Sequence, residues 1–486
     1  MIGEGPLEPT GLTLLFDAYA KPTLGYPWVP GAVVVKKTNG FLLDGIARSS
    51  WFSAPRIAQL LYDDGQATGT PTAASPDRVR RWHRFVDIEI APGLRIDAVE
   101  AIVALEFGSI SKTHRMMEMI AHLRTDDDVD SLGVVRRLYK PLRDRVLRGK
   151  FFAALELELG GDIHFSRLND LSVSEDERFT QHGRRVYSVM LDRDLERAAV
   201  VDEGWSRPAP LEPRELALRA RVRATLNDDS ARPLAADKAD RAHEDLIALS
   251  GDWSAMVLRD GASFIMQPGG SFADAAVNTS TIYTDALALA RLQARIVDEL
   301  AIAAGERVYS GREISIEVVR PIESDVARFR ATYSATGTSL PGRARELIGA
   351  MHQQLDFDTA LAGLSAEVAG MSNLAQQHAA LGAQRAALAA EAAAAVAARS
   401  ASTLNTVLSF LSIFGFPVTV GVSLWAAVDG TWSALATYLI TAVLLGLVVY
   451  GLVLFVMKLS RDRLRLAHAA VDRPAERPHK SPSSRR

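Results

Sequence analysis

The chain has 486 residues, 48% of them hydrophobic, and a formal net charge of -3. That supplies a sizeable core and surplus apolar material, but too little positive charge for general nucleic-acid binding, which needs a basic surface to displace counterions. With no cysteine, disulfides, thiol catalysis and cysteine-based zinc sites are excluded, as fits a reducing compartment.

The opening Met1-Ile2-Gly3-Glu4-Gly5-Pro6 lacks the basic stretch and apolar core of a signal peptide, so the N-terminal body is expected in the cytoplasm. Residues 1–206 read as an α/β cytoplasmic domain. Strands are predicted over Leu12–Phe16, Ala32–Val35, Phe85–Ile90, Ile102–Phe107, Phe151–Leu159 and Arg185–Leu191, and a helix over Lys112–Arg124. Period-2 alternation is clearest where Val86, Ile88 and Ile90 oppose Phe85, Asp87 and Glu89. It recurs where Leu155, Leu157 and Leu159 oppose Glu156 and Glu158 before a Gly160-Gly161 turn.

Pro208, Pro210 and Pro213 mark a linker into a mainly helical region, 207–355. Helices are predicted over Arg214–Leu226 and Asp237–Leu249. A hairpin of Ala255–Leu258 and Ser263–Met266 comes after them, turning at Asp260-Gly261, and then a long amphipathic helix over Ile282–Ala304. Pro321 and Pro341 read as breaks. Residues 356–402 are almost entirely helix formers and include the alanine-rich run Ala386–Ala398, which predicts a stalk helix continuous with the first of two apolar runs.

Those runs are spans 403–428 and 433–457, each long enough to cross a bilayer core as a helix of about 20 residues. The fold class is therefore an α+β or α/β cytoplasmic domain with a long helical stalk and a C-terminal two-helix transmembrane hairpin. Arg399 precedes the first span and Lys458, Arg461, Arg463 and Arg465 follow the second, while the connecting loop carries only Asp429. By the positive-inside rule this is a multi-pass protein of the cell (inner) membrane with both termini cytoplasmic. Trp425, Trp432 and Tyr438 fit an interfacial aromatic belt. The tail 458–486 is basic and Pro/Ser-rich and reads as disordered, in contact with anionic membrane lipid.

Heptad phase adds detail. Leu374, Leu381 and Leu388 begin a column that continues as Ala395, Ser402, Ser409, Phe416 and Ser423. The interleaved column ends in Asn405, Ser412 and Thr419, so nearly every polar side chain of the first span shares one face; Thr403 and Thr406 are the exceptions. Two readings stay open. Several copies of the span surround an aqueous pore lined by this face, or small Ser and Thr residues simply allow close helix packing with hydroxyls bonded to their own backbone. Asn405 favours the pore, because a full amide is harder to satisfy locally. The second span is apolar on all faces, with Ala442 and Gly446 as a small-xxx-small contact. Two spans cannot enclose a pore, so conduction requires a homo-oligomer.

A cytoplasmic α/β domain, a very long helix running unbroken into the first span, and a second span with a basic cytoplasmic end together resemble the CorA-type divalent metal cation transporter superfamily. The likeness covers the whole chain as architecture. That family closes its first span with Tyr-Gly-Met-Asn; the nearest sequence here is Ile413-Phe414-Gly415-Phe416-Pro417. Proline offers no side-chain oxygen to a hydrated cation, so magnesium selectivity does not carry over. Gly415-Pro417 reads instead as a kink, Phe416 as an apolar constriction and Asp429 as an anionic ring at the entrance or an ordinary loop carboxylate. The resemblance implies a homopentamer that passes divalent cations, Mg²⁺ first among them, and regulatory ions between cytoplasmic domains. Asp126, Asp127, Asp128 and Asp130 are the acidic candidates for such ions, the competing reading being a solvated loop that caps a helix.

No phosphate loop, dinucleotide fingerprint, His-Glu-x-x-His or Gly-x-Ser-x-Gly is found, and His83, His114 and His122 lack ligand spacing, so no enzyme is expected. Two functions remain: an oligomeric ion channel or transporter, and a membrane-anchored sensor or scaffold whose cytoplasmic domain binds a ligand or partner.

Overall fold

The computed structural model of the chain describes residues 6–20, 24, 27–37, 39–52, 55–62, 79–110, 115–126, 129–160, 163–165, 186–192, 194, 211–226, 242–267, 271–309, 315–333 and 342–427, and a subset of positions from 433 to 458. The chain divides into two units, 1–379 and 380–486.

The first unit begins with β1 (Leu12–Ala20), β2 (Val29–Pro30), β3 (Val35–Lys36), β4 (Leu42–Leu43), α1 (Gly45–Ser49) and α2 (Pro55–Tyr62). Three long strands come next, β5 (Arg81–Ala91), β6 (Leu94–Val103) and β7 (Arg115–Thr125), then helices α3 (Ser131–Arg143) and α4 (Arg145–Leu159). After these lie β8 (Ile163–His164), β9 (Val186–Asp192), α5 (Pro213–Thr225), β10 (Leu246–Ser250), β11 (Trp253–Leu258) and β12 (Gly261–Met266). The last elements are α6 (Phe272–Asn278), a π-helical turn at Thr279–Tyr283, α7 (Thr284–Tyr309), α8 (Ile316–Thr332), α9 (Gly342–Gln354) and α10 (Phe357–Ala427).

Ten strands make one sheet in the order β10-β11-β12-β9-β1-β7-β6-β5-β2, with β8 paired to β1. Its neighbours are antiparallel except β9 and β12. The β11–β12 hairpin forms where the sequence predicts it, but it does not belong to a separate helical region. It extends the sheet past β9, so strands on both sides of residue 206 share one structure.

Both sheet faces are covered. Leu14, Phe16, Met117, Met119 and Val99 share a core with Leu138, Phe152 and Leu155 of α3 and α4. On the other face Leu15, Ile102, Ile120, Tyr187 and Phe264 pack with residues of α7, α8 and α9. A strand buried on both sides does not alternate, and this explains one failed expectation. The helix predicted over Lys112–Arg124 is strand β7, a central strand buried from Arg115 to Leu123. Its Met, Glu and Ala residues favour helix in isolation, but pairing on both edges overrides so weak a preference.

The opposite error occurs at Phe151–Leu159, predicted as a strand and found in α4. Phe152, Leu155 and Leu159 are buried at helical spacing, whereas Leu157 is 86% exposed. Asp144 starts the helix by accepting a hydrogen bond from Leu147 N at 2.9 Å. The strand expected over Ile102–Phe107 ends at Val103. Of the helix predicted over Asp237–Leu249, residues 237–241 lie outside the described residues; from 242 a 3₁₀ turn at Ala242–Asp245 leads instead into β10, whose backbone pairs with β11. Pro321 does not break the chain: Val319, Ile322, Val326 and Phe329 are buried at 3–4 spacing and carry α8 through it. Pro208, Pro210 and Pro341 lie outside the described residues.

Asp356, in the left-handed region with φ 51°, separates α9 from α10. The early residues of α10, Phe357, Leu364, Val368 and Met371, are buried in the first unit's core. In the second unit α10 continues as one α-helix through Gly415 and position 417 to Ala427. It is long and apolar enough to cross a membrane, with mean hydropathy 1.7 over its most apolar window and none of that window buried. A shorter apolar helix covers Leu439–Val448.

Candidate functional site

Two polar constellations stand out, one in each unit. The first is a row of charges between the sheet and α7. A bulge in β6 between Ile96 and Ala98 turns Glu100 toward the face covered by α7. There Glu100 lies opposite Ile120, flanked along β7 by Glu118 and His122. In α7, Arg291, Arg295 and Glu299 come two, three and four turns after Thr284, which places all four on one helix face.

The contacts run the length of that helix. Thr284 meets Thr13 of β1, hydroxyl to hydroxyl, at 3.0 Å. Asp285 accepts from Arg81 Nη2 at 2.6 Å and from the Tyr62 hydroxyl. Arg81 also donates to Glu100 at 2.5 Å, and Arg48 (3.2 Å) and His122 Nε2 (2.7 Å) meet the same carboxylate. Further along, Arg291 donates to Glu118 at 2.6 Å and to Asp17 at 3.0 Å. Arg295 donates to the carbonyls of Met117 and Ala18, and Tyr19 donates to Glu299 at 2.5 Å.

Electrostatics separate the two buried glutamates. Burial alone would raise the Glu100 carboxyl, but Arg48, Arg81 and the His122 hydrogen bond overcome it and hold it well below the usual carboxylate range. Glu118 has less support. Burial pushes it up to about 7 against the pull of Arg291, and the Asp17 charge adds to the rise. Among the described residues its second oxygen is buried without a hydrogen-bond partner. Arg48, Arg81 and Glu100 are essentially inaccessible to solvent, and their ion pairs fasten β5 to β6 and to α7. Sliding α7 by one turn would unpair Asp285 from Arg81 and Arg291 from Glu118, which fixes its register on the sheet.

The second constellation is on α10. Ser402, Asn405, Ser409, Ser412, Phe416, Thr419 and Ser423 share one exposed face. Gly415 stands at its edge. The hydroxyls of Ser402, Thr419 and Ser423 donate to the carbonyls of Arg399, Gly415 and Thr419, about one turn back. Among the described residues, Asn405, Ser409 and Ser412 form no such bond. Phe410 packs edge-on against Tyr450, ring centroids 5.4 Å apart. At about 100° per residue Phe410 points roughly 130° away from the mean direction of the polar face.

Comparison with known proteins finds no matching family model, no similar curated protein and no similar solved structure.

Among the acidic candidates, Asp130 is the N-cap of α3, its Oδ1 accepting from Gly133 N at 2.6 Å. Asp126 turns the chain, its N–H donating to the Gly93 carbonyl at 3.0 Å. Asp127, Asp128 and Asp429 lie outside the described residues, as do Trp432, Tyr438 and the tail from 461. Among the described residues no group of three or more His, Asp or Glu side chains is placed to hold a metal ion. The charge row under α7 escapes a motif search because its members come from several separate elements. Its signal is nonetheless present: Arg291 and Arg295 interrupt an otherwise Ala/Leu-rich helix face, and Glu100, Glu118 and His122 interrupt buried strands.

Proposed function

We propose that the protein is an oligomeric ion channel or transporter of the inner membrane, built on the CorA-type plan, that passes divalent cations such as Mg²⁺ along the polar face of α10. In this reading α10 and the segment from 433 to 457 form a transmembrane hairpin with both termini cytoplasmic, and copies of α10 turn Asn405, Ser409 and Ser412 toward a common axis. The observation that carries it is the pairing of two facts. These three side chains are exposed with no internal partner among the described residues, and the Phe410–Tyr450 contact lies on a different side of the helix. In this reading the second apolar segment leaves the polar face open to other copies, and polar groups at membrane depth need protein or water as partner. Phe416, 73% exposed on the same face, supplies an apolar constriction able to gate by dewetting.

The competing reading is a membrane-anchored sensor or scaffold, with the helices serving for anchoring and oligomerisation. The hydroxyls of Ser402, Thr419 and Ser423, satisfied by their own backbone, favour close packing and so favour that reading. Flux into liposomes decides. Purified protein should admit Mg²⁺, Co²⁺ or Zn²⁺ over Na⁺, and Asn405→Leu with Ser412→Leu should lower flux at least tenfold while the oligomer persists. Flux unaffected by this pair would leave the anchor as the better account.

A further inference from the structure

The α3–α4 pair presents an outer surface that the core does not explain. The inner face of α4 is Phe151, Phe152, Leu155 and Leu159. A helix lying on a core normally turns charge to solvent on its other face. Here the opposite stripe is Val146, Lys150, Ala153 and Leu157, at spacings of four, three and four residues, with Val146 65% and Leu157 86% exposed. Tyr139 of α3 and Leu147 are exposed beside them. Interleaved with this apolar surface are Arg136, Lys140, Arg148 and Lys150. From 136 to 150 Asp144 is the single acidic residue, in a chain whose net charge is -3. Glu156 and Glu158 flank Leu157, Glu156 accepting from Phe165 N at 2.7 Å, so the basic character belongs to the Arg136–Lys150 end of the surface. Asp144 is committed to the cap of α4.

We propose that this surface docks on an anionic lipid bilayer, with Val146 and Leu157 entering the headgroup boundary and Lys140, Lys150 and Arg136 meeting lipid phosphates. Cations set beside exposed aliphatic and aromatic side chains match that boundary. Membrane insertion of α10, which is long and apolar enough to cross a bilayer, would tether the surface to one. Tethering raises the local concentration of surface for any docking patch. The inference rests on membrane insertion but not on ion conduction.

The test uses the full chain in lipid nanodiscs. Because the chain has no cysteine, Val146→Cys carries an environment-sensitive fluorophore at one site, and Ile316→Cys, exposed in α8, serves as the control. Co-purification with the discs reports insertion separately from docking. The expected result is a blue shift of the position-146 probe in phosphatidylglycerol-containing discs, absent from pure phosphatidylcholine and reversed by salt. The control site should not respond. Each of Arg136→Gln, Lys140→Gln and Lys150→Gln should weaken docking by up to about fivefold. Identical emission in the two lipids, as from a stalk that holds the body off the bilayer, overturns the proposal. So does a shift elicited by single-stranded DNA in phosphatidylcholine discs, which would make nucleic acid the partner.

Discussion

Glu118 shows how one residue ties packing to pH. Its partner Arg291 is close and well aimed, yet the carboxyl sits between α7 and the sheet with no access to water, and burial outweighs the pairing. Folded, it keeps its proton up to about pH 7; unfolded, it gives it up near the ordinary value of 4.5. As pH rises through that interval the unfolded chain releases its proton first, so the folded state loses stability between pH 4.5 and 7 and no more above. Thermal melts tracked by tryptophan fluorescence should therefore show the melting temperature falling over this window in the wild-type protein. Glu118→Gln should flatten the slope. Equal slopes in both proteins would locate the titration elsewhere. Glu100, with Arg48 and Arg81 both on its carboxylate, stays ionised when folded. Its contribution is lost as pH falls toward and below 4.5, where the unfolded chain takes up a proton, so it opposes the Glu118 slope only at the acid end of the window.

At the scale of elements, α4 and β7 show where sequence pattern misleads. The Leu-Glu-Leu-Glu-Leu run from 155 to 159 alternates like a strand, but Phe152, Leu155 and Leu159 also fit a helix, and the helical stripe is the one that faces a core. Mutation distinguishes the two periods. Leu155→Ala should cost about 2–5 kcal/mol, the range for a large buried aliphatic. Leu157→Ala should change stability by no more than about 0.5 kcal/mol, as for an exposed site. Similar losses at both positions in a denaturation series would speak for a strand. The strand β7 was hidden for the converse reason: a fully buried strand shows no polar/apolar alternation to detect, and its Met, Ala and Glu content points to helix. By contrast β1, α5 and the β11–β12 hairpin were legible, since each has a local signal at a boundary: Gly11 before β1, Pro213 at the first turn of α5 and Asp260-Gly261 in the hairpin.

For the whole molecule the decisive question is which side of α10 meets another copy. A cysteine-free chain allows a direct answer. Ser409→Cys, on the polar face, should cross-link into covalent dimers under mild oxidation in membranes. Val407→Cys, roughly 160° around the helix at about 100° per residue, should not. Cross-linking at 407 alone would place the contact on the wrong side for a polar pore. The polar face itself was readable in full from heptad phase, because a single helix obeys a fixed periodicity whatever surrounds it.

That contrast runs through the protein. Length, hydropathy and helical phase are properties of neighbouring residues, and they determined by themselves the apolar helix, its polar stripe and the stalk that leads into it. The charge row under α7 and the joining of β12 to β9 across residue 206 were decided by tertiary structure alone. Glu100, Asp285, Arg48 and Arg81 lie as far as 237 positions apart and become one network only when a strand bulge and a helix face meet. Local sequence carries no record of which distant charge will neutralise a buried one.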